Sequence, residues 1–507
     1  MKKAIVFLSI ITLFSNCKES DLELDNPNQI TTVTYWKTEN DVLSSLAATY
    51  GLLRDVNGGF WGVRGIELAN GRGDDFFIRN DVANLYQLST FTNTPDNGVL
   101  NDLWNTSYRA IFRANQIIEN APTVPGLSDQ AKTGYIAEAK FLRGLNYFIL
   151  AINFGDGPII TKTPQSKDDY FAVKSPEADV WKQAIQDFTD AAAGLPQSYP
   201  AQWVGRATKG AAIAYLGKSQ LYTKNYTAAE ATLKQLTSGY GYQLMPNYGD
   251  NFLASKDNNQ ESVFEIQLAD VGGTNPWAGE NAAQAIGVTT AQEFAPSEVA
   301  GWFEVSFTDK LFKEFQKEKT VSNELDPRMY ATMVWDYPGA VLYNKPFSSF
   351  KLVFGYSTII KKYQNYNQDG ELTGASGASD YTSSNNERAL RYADVLLMIA
   401  EAMTMQGKVP DAYPFVKQIR DRAHLADLPA GYSQDQMMAE IRHQRMIEFA
   451  RENQRFYDLK RWGLLKQEID NSDKVGKQFF ASPKFDYFPV PQSEINSNPK
   501  MVQNPNW

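Results

Sequence analysis

Long apolar stripes at helical spacing open and close this chain, and the stretch between them, about 240–389, has almost no such period. Glu39 to Val56 places Val42, Leu43, Leu46, Ala47, Tyr50 and Leu53 on one helical face, and Asn57-Gly58-Gly59 stops it. Further helical patterns cover Leu100 to Asn120, Gly134 to Pro158 and Glu177 to Pro196, each ended by glycine or proline. Helices return at 388–406, 411–424, 433–452 and 455–466. The long insertion carries turn material, with ESVFEIQL (Glu261 to Leu268) and TIIKKYQN (Thr358 to Asn365) as short strands. Residues 57–98 form a smaller irregular insertion, and the tail, 480–507, is proline-rich and extended. A helical frame carrying long loops is the pattern of a binding surface on a rigid support.

Small residues recur inside the helical blocks. Leu216-Gly217 with Tyr226 and Ala229, and Ala400 with Ala412 about Gly407, fit the spacing of tetratricopeptide helix pairs. Ala184, Phe188 and Ala191 fit a second helix of the same kind. Small side chains let paired helices approach closely. These units are not in tandem, so the insertion interrupts an array.

Cys17 is the one cysteine of the 507 residues. Lys2 and Lys3 precede the apolar run Ala4 to Phe14, which is too short to span a bilayer. The pattern predicts a signal peptide over 1–16 and lipid attachment at Cys17. Residues 17–38 then read as a lipidated tether that lifts the body off the membrane. Beyond the leader no cysteine remains, which excludes disulfides, and His424 and His443 are the only imidazoles. That leaves no Cys/His zinc site, and no metal or cofactor is expected. Without Lys2 and Lys3 the chain has 47 basic and 58 acidic residues, a net charge of −11, which does not point to nucleic acid.

Four segments carry a family resemblance: Ala139 to Ile160, Arg391 to Met403, Ile441 to Gly463, and the end, FPVPQSEINSNPKMVQNPNW (Phe488 to Trp507). With the Cys17 leader they resemble the SusD-like (RagB/SusD) outer-membrane lipoproteins of Bacteroidetes, and Cys17-Lys18-Glu19-Ser20-Asp21 is similar to their surface-export signal. The resemblance implies a mostly α-helical fold, with about four tetratricopeptide-type helix pairs as scaffold and a large irregular ligand-binding region. On that basis residues 39–507 form a SusD-like domain. Its scaffold covers about 39–56, 100–239 and 388–466, and its irregular region about 57–99, 240–387 and 467–507. The resemblance also implies a non-catalytic role in nutrient uptake. Such a protein captures oligosaccharide at the cell surface and delivers it to a SusC-like TonB-dependent transporter, whose lid it forms.

Sugar rings need flat aromatic faces, and their hydroxyls need planar polar groups. Two loop regions offer both. Trp61, Asn70, Arg72, Asp74, Asp75 and Phe76 gather in FWGVRGIELANGRGDDFF, with Arg64 and Arg79 nearby. Trp277 sits in GGTNPWAGEN, and Trp302 and Trp335 follow. For each, packing under a loop is the competing reading. Arg72-Gly73-Asp74 reads as a turn rather than an integrin motif. Asn365 to Gly370 partly matches a calcium loop, but Ser376 stands where the bidentate glutamate belongs. Trp104, Trp181 and Trp462 lie in helical stripes and read as core. The Arg/Glu spacing of Ile441 to Phe456 reads as solvated ion pairs, with His443 structural. A hydrolase would need a pair of carboxylates, and Asp74 and Asp75 are neighbours in sequence. A repeat scaffold that binds peptide, or a surface protein that captures a non-carbohydrate nutrient, would fit the same helical pattern.

Overall fold

The computed structural model describes residues 35–269, 287, 289–352, 354–364 and 383–507. Cys17 with the leader and tether to residue 34, Trp277, and the Asn365–Gly370 loop lie outside the described residues. The N-terminal block runs α1 (Glu39–Gly51), α2 (Val63–Gly71), β1 (Phe76–Ile78), α3 (Ala83–Ser89), α4 (Gly98–Asn120), α5 (Asp129–Phe154), α6 (Glu177–Gly194), α7 (Lys209–Tyr222) and α8 (Tyr226–Leu233). The insertion holds β2 (Ser262–Ile266), α9 (Thr290–Phe294), β3 (Val305–Phe307), α10 (Asp309–Phe315), α11 (Pro327–Thr332), β4 (Met333–Trp335), β5 (Val341–Leu342), β6 (Lys345–Pro346) and β7 (Thr358–Ile360). The C-terminal block follows with β8 (Glu387–Arg391), α12 (Tyr392–Thr404), α13 (Val409–Arg422), α14 (Gln434–Glu448), α15 (Arg455–Trp462), α16 (Leu465–Asp470) and α17 (Gln492–Ser497).

The helices form where stripe and cap agree. Ser128 starts α5 ahead of the apolar pattern, because its Oγ accepts from the Ala131 amide at 3.2 Å. Ser433 and Gln436 form a capping box on α14, with bonds of 3.2 and 2.8 Å. Successive helices pack from α4 through α8, and α8 then packs on α12, which packs on α13. The array is therefore continuous in space although the insertion interrupts it in sequence. Close approach is built in at Gly217 of α7: a Cβ there would lie 2.4 Å from Leu233 Cγ of α8. No described helix is long and apolar enough to cross a membrane.

Two expectations need correction. Residues 388–391 are not helical; they belong to β8, which pairs antiparallel with β2 and closes the insertion at its base. All of β8 is buried, so no alternation marks it as a strand. Residues 57–98 are not merely irregular, since they contain α2, β1 and α3. Val63, Ile66, Leu68 and Ala69 bury α2 despite its glycines.

The Arg/Glu helix is also not a solvated face. Glu448 at the end of α14 is fully buried and receives Arg391, Arg422 and Arg328 from three other elements. Arg391 also pairs with Glu261 at 2.6 Å and Glu452 at 2.7 Å, and Lys362 reaches Glu452 at 2.6 Å. Burial pushes the Glu448 carboxyl up, but Arg422, Arg391 and Arg328 together hold it well below the usual range. This hub fastens the insertion to the helical array. Glu448→Gln is expected to cost about 3–5 kcal/mol in urea unfolding, because it removes the buried charge on which three guanidinium groups converge. A loss of about 0–1 kcal/mol, as for a surface pair, would contradict the hub.

Candidate functional site

The two insertions meet in a two-stranded ribbon. β1 pairs antiparallel with β3, Phe76 opposite Phe307 and Ile78 opposite Val305. Strand alternation sends Phe76 and Ile78 into the core and leaves Phe77 partly exposed on the other side. Phe77 packs against Phe354 at 5.0 Å and Tyr356 at 5.2 Å between centroids, and Phe354 continues to Phe303 at 5.1 Å. Trp302, partly exposed, precedes Phe303 of this face in the chain, and its backbone is held at the edge by Arg79. Arg79 fixes the border: its Nη1 donates to the Trp302 and Phe303 carbonyls, its Nε pairs with Asp81, and its amide donates to the Glu304 carbonyl at 2.7 Å. The face thus sets apolar ring surfaces beside a guanidinium and an exposed carboxylate. Such a set can stack on the C–H side of a sugar ring and bond its hydroxyls.

Most of the polar residues expected on a ligand loop are in the interior instead. Asn70, Arg72, Asp74 and Asp75 are 4%, 2%, 0% and 2% exposed. Asn70 donates to Asn453 Oδ1 at 2.7 Å. The Arg72 guanidinium lies between the Phe456 and Phe488 rings, 3.7 and 3.9 Å from their centroids, and donates to the Phe485 carbonyl. Burial pulls the Arg72 guanidinium down to about 10. Phe76 is core, and Trp61 is buried edge-on to Phe60. Trp335 is buried in a separate cluster with Tyr330, Tyr337 and Phe312. Of the described candidates, only Trp302 reaches the β1–β3 face. Phe77, Phe354 and Tyr356 join it without having stood out in the sequence. Alternation from a strand at Phe76 would have flagged Phe77, but its partner lies far along the chain.

Asp74 supports this face from below. It receives Arg455 at 2.7 and 2.8 Å and Lys310 at 2.5 Å. Burial pushes its carboxyl up, but Arg455 and Lys310 hold it at about 2. Burial and then Asp74 itself raise Asp75 to about 7. Lys474, lowered by burial to about 7, donates to the Gly71 and Phe76 carbonyls at 2.6 and 3.0 Å and so pins β1.

A polar groove of about 670 Å³ lies between α10, α14 and α15. His443 lines it and pairs with Glu314 at 2.6 Å, and Lys310 there pairs with Glu468. Trp462, expected in the core, is partly exposed at this groove, where Arg442 lies 5.6 Å from its ring centroid. No cluster of three or more metal-ligating side chains occurs among the described residues.

The SusD family model matches residues 260–507, and a second model, described as starch-binding associating with outer membrane, matches 24–221. A SusD superfamily protein of Bacteroides vulgatus is 34% identical, over 94% of this chain and all of that one, with a TM-score of 0.84. A laminarin binding SusD-like protein is 26% identical, over 93% of this chain and all of that one, with a TM-score of 0.77. The starch-binding protein SusD of Bacteroides thetaiotaomicron is 25% identical over 75% of this chain and 74% of its own length. This chain belongs to the SusD family.

Asp74→Asn is expected to destabilise the protein by about 3–5 kcal/mol at neutral pH, since Arg455 and Lys310 lose their buried partner. The folded Asp74 value is depressed, so its contribution is present above the unfolded value, about 3.9. It is lost as pH falls towards about 2. Urea unfolding across that range should show the gap between wild type and variant closing. A gap independent of pH would contradict this role.

Proposed function

We propose that this chain captures oligosaccharide at the cell surface on the β1–β3 face and passes it to a SusC-like TonB-dependent transporter as its lid. The observation that carries the reading is the set of partly exposed rings Phe77, Phe354 and Trp302 beside Arg79 and Asp81. The named ligands of two relatives, laminarin and starch, support a carbohydrate. Trp277, outside the described residues, is proposed as a further residue that stacks on ligand. Cys17 anchors the chain through lipid, and residues 17–38 give the reach a lid needs. Binding without hydrolysis agrees with the burial of Asp74 and Asp75, because a glycosidase pair must flank its substrate.

Residues 18–507 should be titrated by calorimetry with laminarihexaose, maltohexaose and an acidic oligosaccharide. Trp302→Ala and Phe77→Ala are each expected to weaken binding about three- to tenfold, as loss of one ring contact does. Full affinity in both variants would move the site elsewhere. Silence with every glycan would favour a non-carbohydrate nutrient.

A further inference from the structure

Directly behind the Trp302 rim lie three carboxylates with one guanidinium among them. Arg64 Nη1 donates to Glu67 at 2.7 Å and to Glu304 at 2.9 Å. Glu293 of α9 accepts from Thr289 Oγ1 at 2.8 Å. Glu67 and Glu293 are 0% exposed and Glu304 is 7% exposed. Among the described residues, one oxygen on Glu67 and one on Glu293 have no hydrogen-bond partner. The charged groups acting most on Glu293 are Glu67, Arg64 and Glu304, and those acting most on Glu67 are Arg64 and Glu304. Arg451, paired with Glu387 at 2.7 Å, packs 5.1 Å from the Phe294 ring beside Glu293.

The sequence makes the shortage of positive charge firm. No Lys, Arg or His occurs between Lys256 and Lys310, or between Lys362 and Arg388. Neither of these stretches can therefore bring a second cation. A buried carboxylate without a counter-charge takes up a proton instead. Burial raises Glu67 to about 7 against the opposing pull of Arg64, and Glu304 adds to the rise. Burial and then Glu67 hold Glu293 well above the usual range.

The cluster is wired to the proposed glycan face through backbone. The Trp302 amide donates to the Gln292 carbonyl at 2.7 Å, Phe303 to Ala295 at 3.0 Å, and Glu304 to Glu293 at 2.8 Å. The Arg79 amide completes the chain by donating to Glu304. Like charge appearing on Glu67, Glu293 and Glu304 would push α9 from α2 and carry the Trp302–Glu304 segment with it. We propose that Glu293 and Glu67 are positioning residues for the glycan face: protonated, they hold the Trp302 rim in place, and loss of their protons to solvent releases it as pH rises. Only the consequence for ligand rests on the glycan reading; the positioning itself does not. The sign follows from linkage. These carboxyls bind protons more tightly folded than unfolded, so local stability is lost as pH rises through their folded values.

Hydrogen exchange, read by mass spectrometry at about pH 6 and about pH 9, tests this on residues 18–507. Protection of the peptide spanning 292–304 is taken relative to β2, which cancels the intrinsic pH effect. In the wild type the ratio is expected to fall about tenfold or more, one titration unit of destabilisation. In the double variant Glu67→Gln/Glu293→Gln, which keeps the shape and removes both titrating groups, the ratio should hold. If the double variant folds poorly, Glu67→Gln and Glu293→Gln alone should each show a smaller fall than the wild type. An unchanged wild-type ratio, or an equal fall in the glutamine variants, would overturn the proposal. No glycan enters this readout, so its failure leaves the capture reading standing. Laminarihexaose titration at about pH 6 tests that reading separately.

Discussion

The carboxylate of Glu448 is the point on which the rest of the molecule turns. A fully buried charge is costly, and here three guanidinium groups from β8, α13 and α11 converge on it. Each guanidinium also meets a second carboxylate, Asp326 for Arg328 and Glu261 for Arg391 and Arg422, so one shared network ties the helical array to the insertion. A hydrophobic plug of equal volume would stabilise as well or better. What the charges add is register. Arg391 has one position from which it meets Glu261, Glu448 and Glu452 together.

From that anchored base the insertion reaches around to the first irregular segment. β1 and β3 are joined by only a short ladder, and much of their support is polar and buried. Arg455 and Lys310 on Asp74, and Lys474 on the Phe76 carbonyl, supply it. The aromatic face therefore stands on buried ion pairs as well as on the apolar inner side of the ribbon, Phe76, Ile78, Val305 and Phe307. This places carboxylates with displaced proton affinities close behind a surface that has to keep its shape. It also explains why polar residues crowd the Phe60 to Phe77 sequence without touching solvent.

The helical frame was legible because long apolar stripes ended at glycine or proline, with side-chain caps adding to the signal at helices such as those after Asn97, Ser128 and Ser433, and Gly217 announced a close helix contact. The face was much less so. Phe76 and Phe77 look alike in sequence, and only pairing with a strand that begins at Val305 decides which of them turns outward. Asp74 and Arg72 have the composition of a sugar site, yet their partners Arg455 and Phe485 lie 381 and 413 residues away. Short-range reading cannot tell a ligand-binding charge from one half of a distant ion pair. The Ile441–Phe456 helix failed for the same reason: its spacing allows solvated pairs, while its true partners come from β8, α11 and α13.

The most direct measurement is hydrogen exchange on residues 18–507 with and without laminarihexaose, or another oligosaccharide shown to bind. Capture on the β1–β3 face should slow exchange in the peptides spanning 76–81, 302–307 and 354–356, and leave the 440–468 groove unchanged. Protection confined to that groove or to the helical array, with none at β1 and β3, would contradict the assignment of the ligand face.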